Sequence, residues 1–348
     1  MPLDSLTREI DKTQSPVRQF LNQFTVGLKD VQRSYRQDSP SIAVEPVGNQ
    51  DANPGTLGTA ADWLLRFLVC PSPDLVLPMM GAARYVGPKL LVPLVGLAER
   101  LDVDPSRWIP RLKMWRSDPQ DLMWEASWLD KLRELQRRHP DPVPAETGFA
   151  GPIEGSSLEA DLLARGCWAL ALATELFRAG PMALNGPLGR LGYPATVEDL
   201  LELAPPAGIA QLAGFRAVFE TVLLPQLTSR RGRWVIGPTF SGSQLLAGAD
   251  GDLAAAGLLL ELKTSKNLSL ALVDVLEVVG YALLDFEDRY RIDTLGVFNA
   301  RYARLATWGL QDLLAELAGQ PVDVADVRAN FRRLLEQHSG AEVTPLTS

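Results

Sequence analysis

Leu258-Leu259-Leu260-Glu261-Leu262-Lys263-Thr264 is the stretch from which both the fold and the chemistry are read. Successive side chains of an extended strand point to opposite faces, so Glu261 and Lys263 share one face while Leu260 and Leu262 share the other. A run this apolar predicts a strand buried in a sheet. A carboxylate and an ammonium in such a strand lose hydration, and both are costly unless paired. They can satisfy each other as a plain same-face ion pair. They can also serve a metal ion together with the acidic segment just upstream.

That segment is Gly248-Ala249-Asp250-Gly251-Asp252-Leu253. Residues 245–254 and 257–264 read as a strand pair joined across Ala254-Ala255-Ala256-Gly257; if the acidic segment forms the neighbouring antiparallel strand, Asp252 can lie beside Glu261. Two carboxylates and the backbone carbonyl of Leu262 would form the oxygen-rich shell that Mg²⁺ prefers, with water completing it. Such an ion polarises a phosphodiester oxygen and lowers the pKa of bound water. Lys263 would orient that water and neutralise charge in the transition state. The chain has seven lysines, and Lys263 alone has an acid two residues before it.

Working outward, residues 208–227 read as a helix and Arg233–Ile236 as a short strand ended by Gly237-Pro238. Residues 269–287 read as an apolar helix, Ile292–Asn299 as a strand, 306–317 as a helix and 323–337 as a closing helix. The order is helix, three strands, helix, strand.

The run Asp252, eight residues, then Glu261-x-Lys263, set in that order of elements, resembles the PD-(D/E)XK metal-dependent nucleases, in particular their RecB-like branch. The resemblance covers roughly residues 210–305. It implies an α/β, restriction-endonuclease-like αβββαβ core, with Asp252 and Glu261 on Mg²⁺ or Mn²⁺ and Lys263 at the attacking water. Glu277-Val278-Val279-Gly280-Tyr281 stands where the branch carries Gln-x-x-x-Tyr; Tyr281 matches and Glu277 replaces the glutamine. Positions i and i+4 share a helical face, so by analogy this pair supports the catalytic acids or contacts the nucleic-acid backbone. The first helix of the family often supplies a further acid, and Glu220 is its counterpart. Gly251 stands where the motif's proline would be. Relatives that hold an iron–sulfur cluster use four cysteines; this chain has two, Cys70 and Cys167. The implied activity is hydrolysis of phosphodiester bonds, in DNA, for processing, repair or defence.

Arg230, Arg231 and Arg233 precede the first core strand, and Thr264, Ser265 and Lys266 follow the last residue of the motif. These are the candidate phosphate contacts; Arg289, Arg291, Arg301 and Arg304 read equally as surface arginines. A formal charge of −8 argues against a whole-surface nucleic-acid binder and leaves room for a local basic groove.

The rest of the chain reads as a mainly helical region, residues 1–150, ahead of a nuclease-like domain at 151–340. Residues 15–37 read as a polar helix, a second helix starts near Thr59, and 84–138 is mostly helical with Trp108, Trp115, Trp124 and Trp128 as core anchors. The Pro/Gly-rich stretch 139–155 is the expected boundary. A long helix follows, capped by Ser156 with Glu159 three residues on. Asp62 and Arg66, one helical turn apart, read as a local ion pair. Both cysteines read as buried free thiols, and His139 and His338 as surface residues. No uncharged apolar run reaches the ~18 residues of a membrane span, and the N-terminus lacks the pattern of a signal peptide. The expectation is a cytoplasmic protein, with no membrane partner, that binds DNA and forms a homodimer or joins a partner protein. Two other readings stay open: a nuclease-like module without activity that binds nucleic acid or protein, and an unrelated α/β protein with a simple Glu261–Lys263 pair.

Overall fold

A two-residue turn sets the geometry of the sheet. Ala256 and Gly257 both take positive φ, 47° and 87°, the backbone that matches the twist of a tight hairpin. They join β2 (Leu253–Ala255) to β3 (Leu258–Lys263), in the register Leu253 opposite Leu260. β1 (Trp234–Ile236) pairs antiparallel with β2. After β3 the Leu272–Leu284 helix crosses back, so β4 (Thr294–Asn299) runs parallel to β3. β5 (Arg304–Gly309) pairs antiparallel with β4. The protein is thus mixed α/β, with a five-stranded mixed sheet in the order β1-β2-β3-β4-β5. The computed structural model describes residues 3–36, 41–47, 52–70, 72–104, 108, 158–192 and 194–339.

The chain divides into two compact units, residues 1–42 with 226–348, and residues 43–225. The division falls elsewhere than the expected boundary near 150, because the first forty residues pack with the sheet rather than with the helices that follow them. The expected break at 139–155, Ser156, His139, Trp115, Trp124 and Trp128 lie outside the described residues.

In the sheet unit, one face of the sheet is apolar at one end and polar at the other. Leu259, Glu261 and Lys263 lie opposite Leu295, Val297 and Asn299 of β4. Leu259, Leu295 and Val297 join a core with Val275, Val279, Leu283 and Leu314, to which Leu6, Leu21 and Phe24 of the N-terminal helices also belong. Burying this apolar set removes the hydration cost of the sheet face and drives the packing. The core ends where Glu261 begins.

In the sheet unit three elements differ from the sequence reading. The polar helix expected over 15–37 is two helices, Pro16–Leu21 and Leu28–Arg36. The break falls at Gly27, where a Cβ would collide with the Glu316 carbonyl. The strand expected over 245–254 begins only at Leu253; before it, a 3₁₀ turn covers Ser243–Leu245, and a single bridge pairs Thr239 with Asp250. The helix expected from 306 begins at Leu310, because Arg304–Gly309 continues the sheet as an edge strand. Ala303 turns the chain with φ 50°, which reverses it onto β4.

The other unit is built from helices among its described residues. Ala160–Ala179 is buried around most of its circumference and packs with Pro54–Val69 and Val76–Tyr85. Gly81 permits a close approach here, since a Cβ there would lie 2.7 Å from the Ala173 carbonyl oxygen. Inside this packing Trp63 Nε1 donates to Thr174 Oγ1 at 3.0 Å. The Pro54–Val69 helix starts earlier than expected because the Asn53 side chain accepts from the Gly55 N–H and Pro54 occupies its first turn. The long helix is preceded by Glu159, which makes no side-chain cap, rather than by Ser156. Asp62 and Arg66 form the expected local pair at 2.9 Å. Cys70 and Cys167 are buried free thiols, and burial pushes the Cys167 pKa well up. The continuous helix Pro206–Thr228 has the length and mean hydropathy of a membrane span, with 39% of its apolar window buried.

Gly27→Ala is expected to destabilise the protein by about 2–3 kcal/mol, since backbone rather than a movable side chain occupies the space. Urea denaturation of the two proteins measures it, and an unchanged midpoint would contradict this close approach.

Candidate active site

Three elements meet at the polar end of β3. Asp252 stands one residue ahead of β2, so the hairpin register places it opposite Glu261. Its Oδ2 accepts the Leu262 N–H at 2.6 Å. Glu261 is 8% exposed. Burial raises its pKa well above the usual carboxyl range, and the neighbouring Asp252 and Glu277 charges add to that, while Lys263 opposes it.

Lys263 Nζ lies 3.3 Å from Glu261 Oε1, 3.2 Å from Asp274 Oδ1 and 3.0 Å from Glu277 Oε2. Burial works against the ammonium's charge, but the Glu261, Glu277 and Asp274 carboxylates outweigh it and raise its pKa. Lys263 therefore stays a cation and a hydrogen-bond donor at neutral pH.

The Leu272–Leu284 helix supplies the acids that hold it. Asp274, Glu277 and Tyr281 stand at helical spacings of three and four, on one face. Asp274 also caps its own helix, Oδ2 accepting the Ala271 N–H at 2.8 Å. The Tyr281 hydroxyl donates to Glu277 Oε1 at 3.4 Å, and its ring stacks on Phe240 with centroids 5.8 Å apart. Burial pushes the Tyr281 pKa well up, reinforced by Glu261 and Glu277, so the phenol keeps its proton. From the N-terminal Leu6–Asp11 helix, Thr7 Oγ1 donates to Glu277 Oε1 at 2.8 Å.

The fold thus gathers Asp252, Glu261, Lys263, Glu277 and Tyr281. It adds two residues that the sequence reading missed. Asp274 had a visible signal, an acid in the first turn of the helix and three residues before Glu277. Thr7 had none, being 270 residues from its partner.

The other expected residues lie differently. Glu220 belongs to the helical unit, where Arg216 Nε donates to its Oε1 at 2.8 Å. Arg233 sits at the turn end of the hairpin, its carbonyl accepting from the Ala256 N–H at 3.0 Å. That is the opposite end of β3 from Lys263, about 20 Å away by strand rise. Arg230 and Arg231 precede it, so this trio is not brought to the carboxylates. Thr264, Ser265 and Lys266 do follow Lys263 directly. The Thr264 carbonyl accepts from Arg301 Nε at 3.2 Å, and the Lys266 carbonyl from the Tyr302 hydroxyl at 2.5 Å. Ser265 Oγ accepts the Asn267 N–H at 3.2 Å, and both Ser265 and Lys266 are exposed. Arg301 is 1% exposed and braces this loop, so it is a structural arginine rather than a surface one.

Among the described residues, no group of three or more His, Cys, Asp and Glu side chains is arranged to hold a metal ion. A Mg²⁺ shell does not require one, since one or two carboxylates with water suffice. The Leu262 N–H points to Asp252, and a strand residue's N–H and C=O face the same edge. The Leu262 carbonyl therefore faces the edge that carries Asp252. Two carboxylates and this carbonyl are a hard-oxygen donor set that fits Mg²⁺ or Mn²⁺. Comparison of the chain with protein-family models, with curated proteins and with solved structures found no match.

The raised Glu261 pKa has a consequence for stability. Because the folded pKa exceeds the unfolded one, its contribution is fully present below the unfolded carboxyl pKa and lost as pH rises through the folded pKa. In EDTA, Glu261→Gln is expected to melt above the unsubstituted protein, by roughly 2–4 °C at pH 8, with the margin shrinking toward pH 5. Thermal melts across that range measure it; a margin independent of pH would contradict the crowding of Asp252, Glu261 and Glu277.

Proposed function

We propose that the chain is a metal-dependent nuclease of the PD-(D/E)XK type that hydrolyses phosphodiester bonds in DNA. The observation that carries this reading is the excess of carboxylate at the polar end of β3. Glu261, Asp274 and Glu277 converge there around the Lys263 ammonium, and Asp252 adds a fourth carboxylate beside Glu261. A cluster of like charges is destabilising unless a cation joins it. The order of elements supports the same reading, since an antiparallel β1-β2-β3 meander is followed by a crossover helix and a parallel β4.

In this mechanism Asp252, Glu261 and the Leu262 carbonyl would hold Mg²⁺ or Mn²⁺. When bound, the ion would supply positive charge at a phosphate oxygen and make a nearby water easier to deprotonate. Lys263, kept charged by its neighbours, donates to the attacking water or to the phosphate as negative charge builds there. Glu277 fixes the direction of that ammonium, and Tyr281 remains a donor beside it. The water oxygen bonds to phosphorus as the bond from phosphorus to one sugar oxygen breaks. The departing oxygen takes up a proton and the attacking water gives one to solvent, leaving a phosphomonoester end and a hydroxyl end. Thr264, Ser265 and Lys266, at the exit of β3, are the candidate contacts for the backbone phosphates.

One observation favours a second reading. The Lys263 ammonium is already engaged by three carboxylates, which suits a nuclease-like module that binds nucleic acid or a partner protein without cutting.

Supercoiled, linear and single-stranded DNA incubated with Mg²⁺ or Mn²⁺ distinguishes the two. Cleavage is expected, abolished by EDTA and lowered about a hundredfold or more by Lys263→Ala. Binding without cleavage would replace the nuclease with the recognition module. Neither cleavage nor binding would leave an ion-pair network without a nucleic-acid role.

A further inference from the structure

We infer that Thr7 is a positioning residue of this site, holding the Glu277 carboxylate so that its second oxygen faces Lys263. The inference rests on the nuclease reading for its kinetic consequence, and on the geometry alone for its structural one.

The terminal torsion of a glutamate is broad and only two-fold restricted, so a lone carboxylate rotates between orientations. At Glu277 the two oxygens are divided. Oε1 accepts from Thr7 Oγ1 at 2.8 Å and from the Tyr281 hydroxyl at 3.4 Å, and Oε2 accepts from Lys263 Nζ at 3.0 Å. Thr7 also lies within hydrogen-bonding reach of the Tyr281 phenol. Its hydroxyl is therefore at the junction of the two helix residues that face the strand.

Thr7 is itself held in place by the segment around it. Leu6 is fully buried against Gly280, where a Cβ would lie 3.0 Å from a Leu6 methyl. Gly280 therefore lets the N-terminal helix approach closely, one turn from Glu277. The Leu6 N–H donates to the Gly248 carbonyl at 3.1 Å and the Ala247 N–H to the Asp4 carbonyl at 3.3 Å. Those bonds tie the segment to the loop that leads into Asp252. Glu9, 4% exposed, accepts from the Asp4 N–H, Lys12 and Ser15, which locks the turn just after Thr7. The N-terminal segment thus bridges the two halves of the site, the acid-bearing loop and the helix of Glu277.

Thr7 is exposed. Its hydroxyl exchanges a protein partner for water at little cost to folding, so what it determines is the direction of Glu277 rather than the stability of the chain.

Thr7→Val removes the donor and keeps the shape; Thr7→Ser keeps the donor. In the full chain with Mg²⁺ and DNA, Thr7→Val is expected to lower kcat about tenfold, the scale of one hydrogen bond to a charged group, with KM and melting temperature nearly unchanged. Thr7→Ser should restore kcat. Unchanged kcat in Thr7→Val, failure of Thr7→Ser to rescue it, or a loss that follows the melting temperature would overturn the inference. The second readout needs no activity. In the metal-free protein, the Lys263 ammonium should give a slowly exchanging ¹⁵N-correlated NMR signal, identified by its loss in Lys263→Ala. That signal should persist in Thr7→Ser and be lost in Thr7→Val. If the chain cuts no DNA, the nuclease reading fails, and this signal alone decides whether Thr7 positions Glu277; its survival in Thr7→Val would then overturn the inference.

Discussion

One ammonium held by three carboxylates organises the polar end of the sheet unit. Lys263 keeps its charge in a poorly hydrated site only because Glu261, Asp274 and Glu277 lie within 3.3 Å of it. Each partner makes a demand on the fold. Glu261 must share its strand face, Asp274 and Glu277 must come from a helix crossing that face, and the strand must end where the core ends. The gradient along β3, from Leu259 in the core to Lys263 at its rim, meets all three.

That balance holds for Lys263 and not for Glu261. Asp252 lies across the hairpin and Glu277 on the helix that crosses the strand face, both raising the Glu261 pKa. A structure selected for stability alone would replace such a group with an apolar or neutral one. On the proposed reading a cation takes up the excess charge, at the edge that carries Asp252 and the Leu262 carbonyl.

Much of this was legible in the sequence, and for local reasons. Period-two alternation put Glu261 and Lys263 on one face, and the four-residue spacing joined Glu277 to Tyr281; that Asp252 stands opposite Glu261 follows from the two-residue Ala256-Gly257 turn, shorter than the join over 254–257 that the sequence suggested. Where the reading went astray, a tertiary contact overrode a local signal. Arg304–Gly309 has the alanine of a helix but completes the sheet, because β4 offers it an unpaired edge. The apparent basic cluster at Arg230–Arg233 is near the motif in sequence and far from it along the hairpin. Arg301, read as a surface cation, is buried beneath the loop it braces. Thr7 shows the limit most clearly, since no spacing rule connects the seventh residue to the 277th. The division of the chain followed the same logic: the first forty residues belong with the sheet because Leu6, Leu21 and Phe24 complete its core.

Diffraction at the manganese absorption edge from crystals soaked in Mn²⁺ tests the site most directly. An anomalous peak bounded by the Asp252 and Glu261 carboxylates and the Leu262 carbonyl, absent from Asp252→Asn crystals, is the expected result. Saturating Mn²⁺ with no peak there, and Lys263 still held by Glu261, Asp274 and Glu277, would mean that the acids serve the lysine alone and that the site is not a metal-dependent nuclease centre.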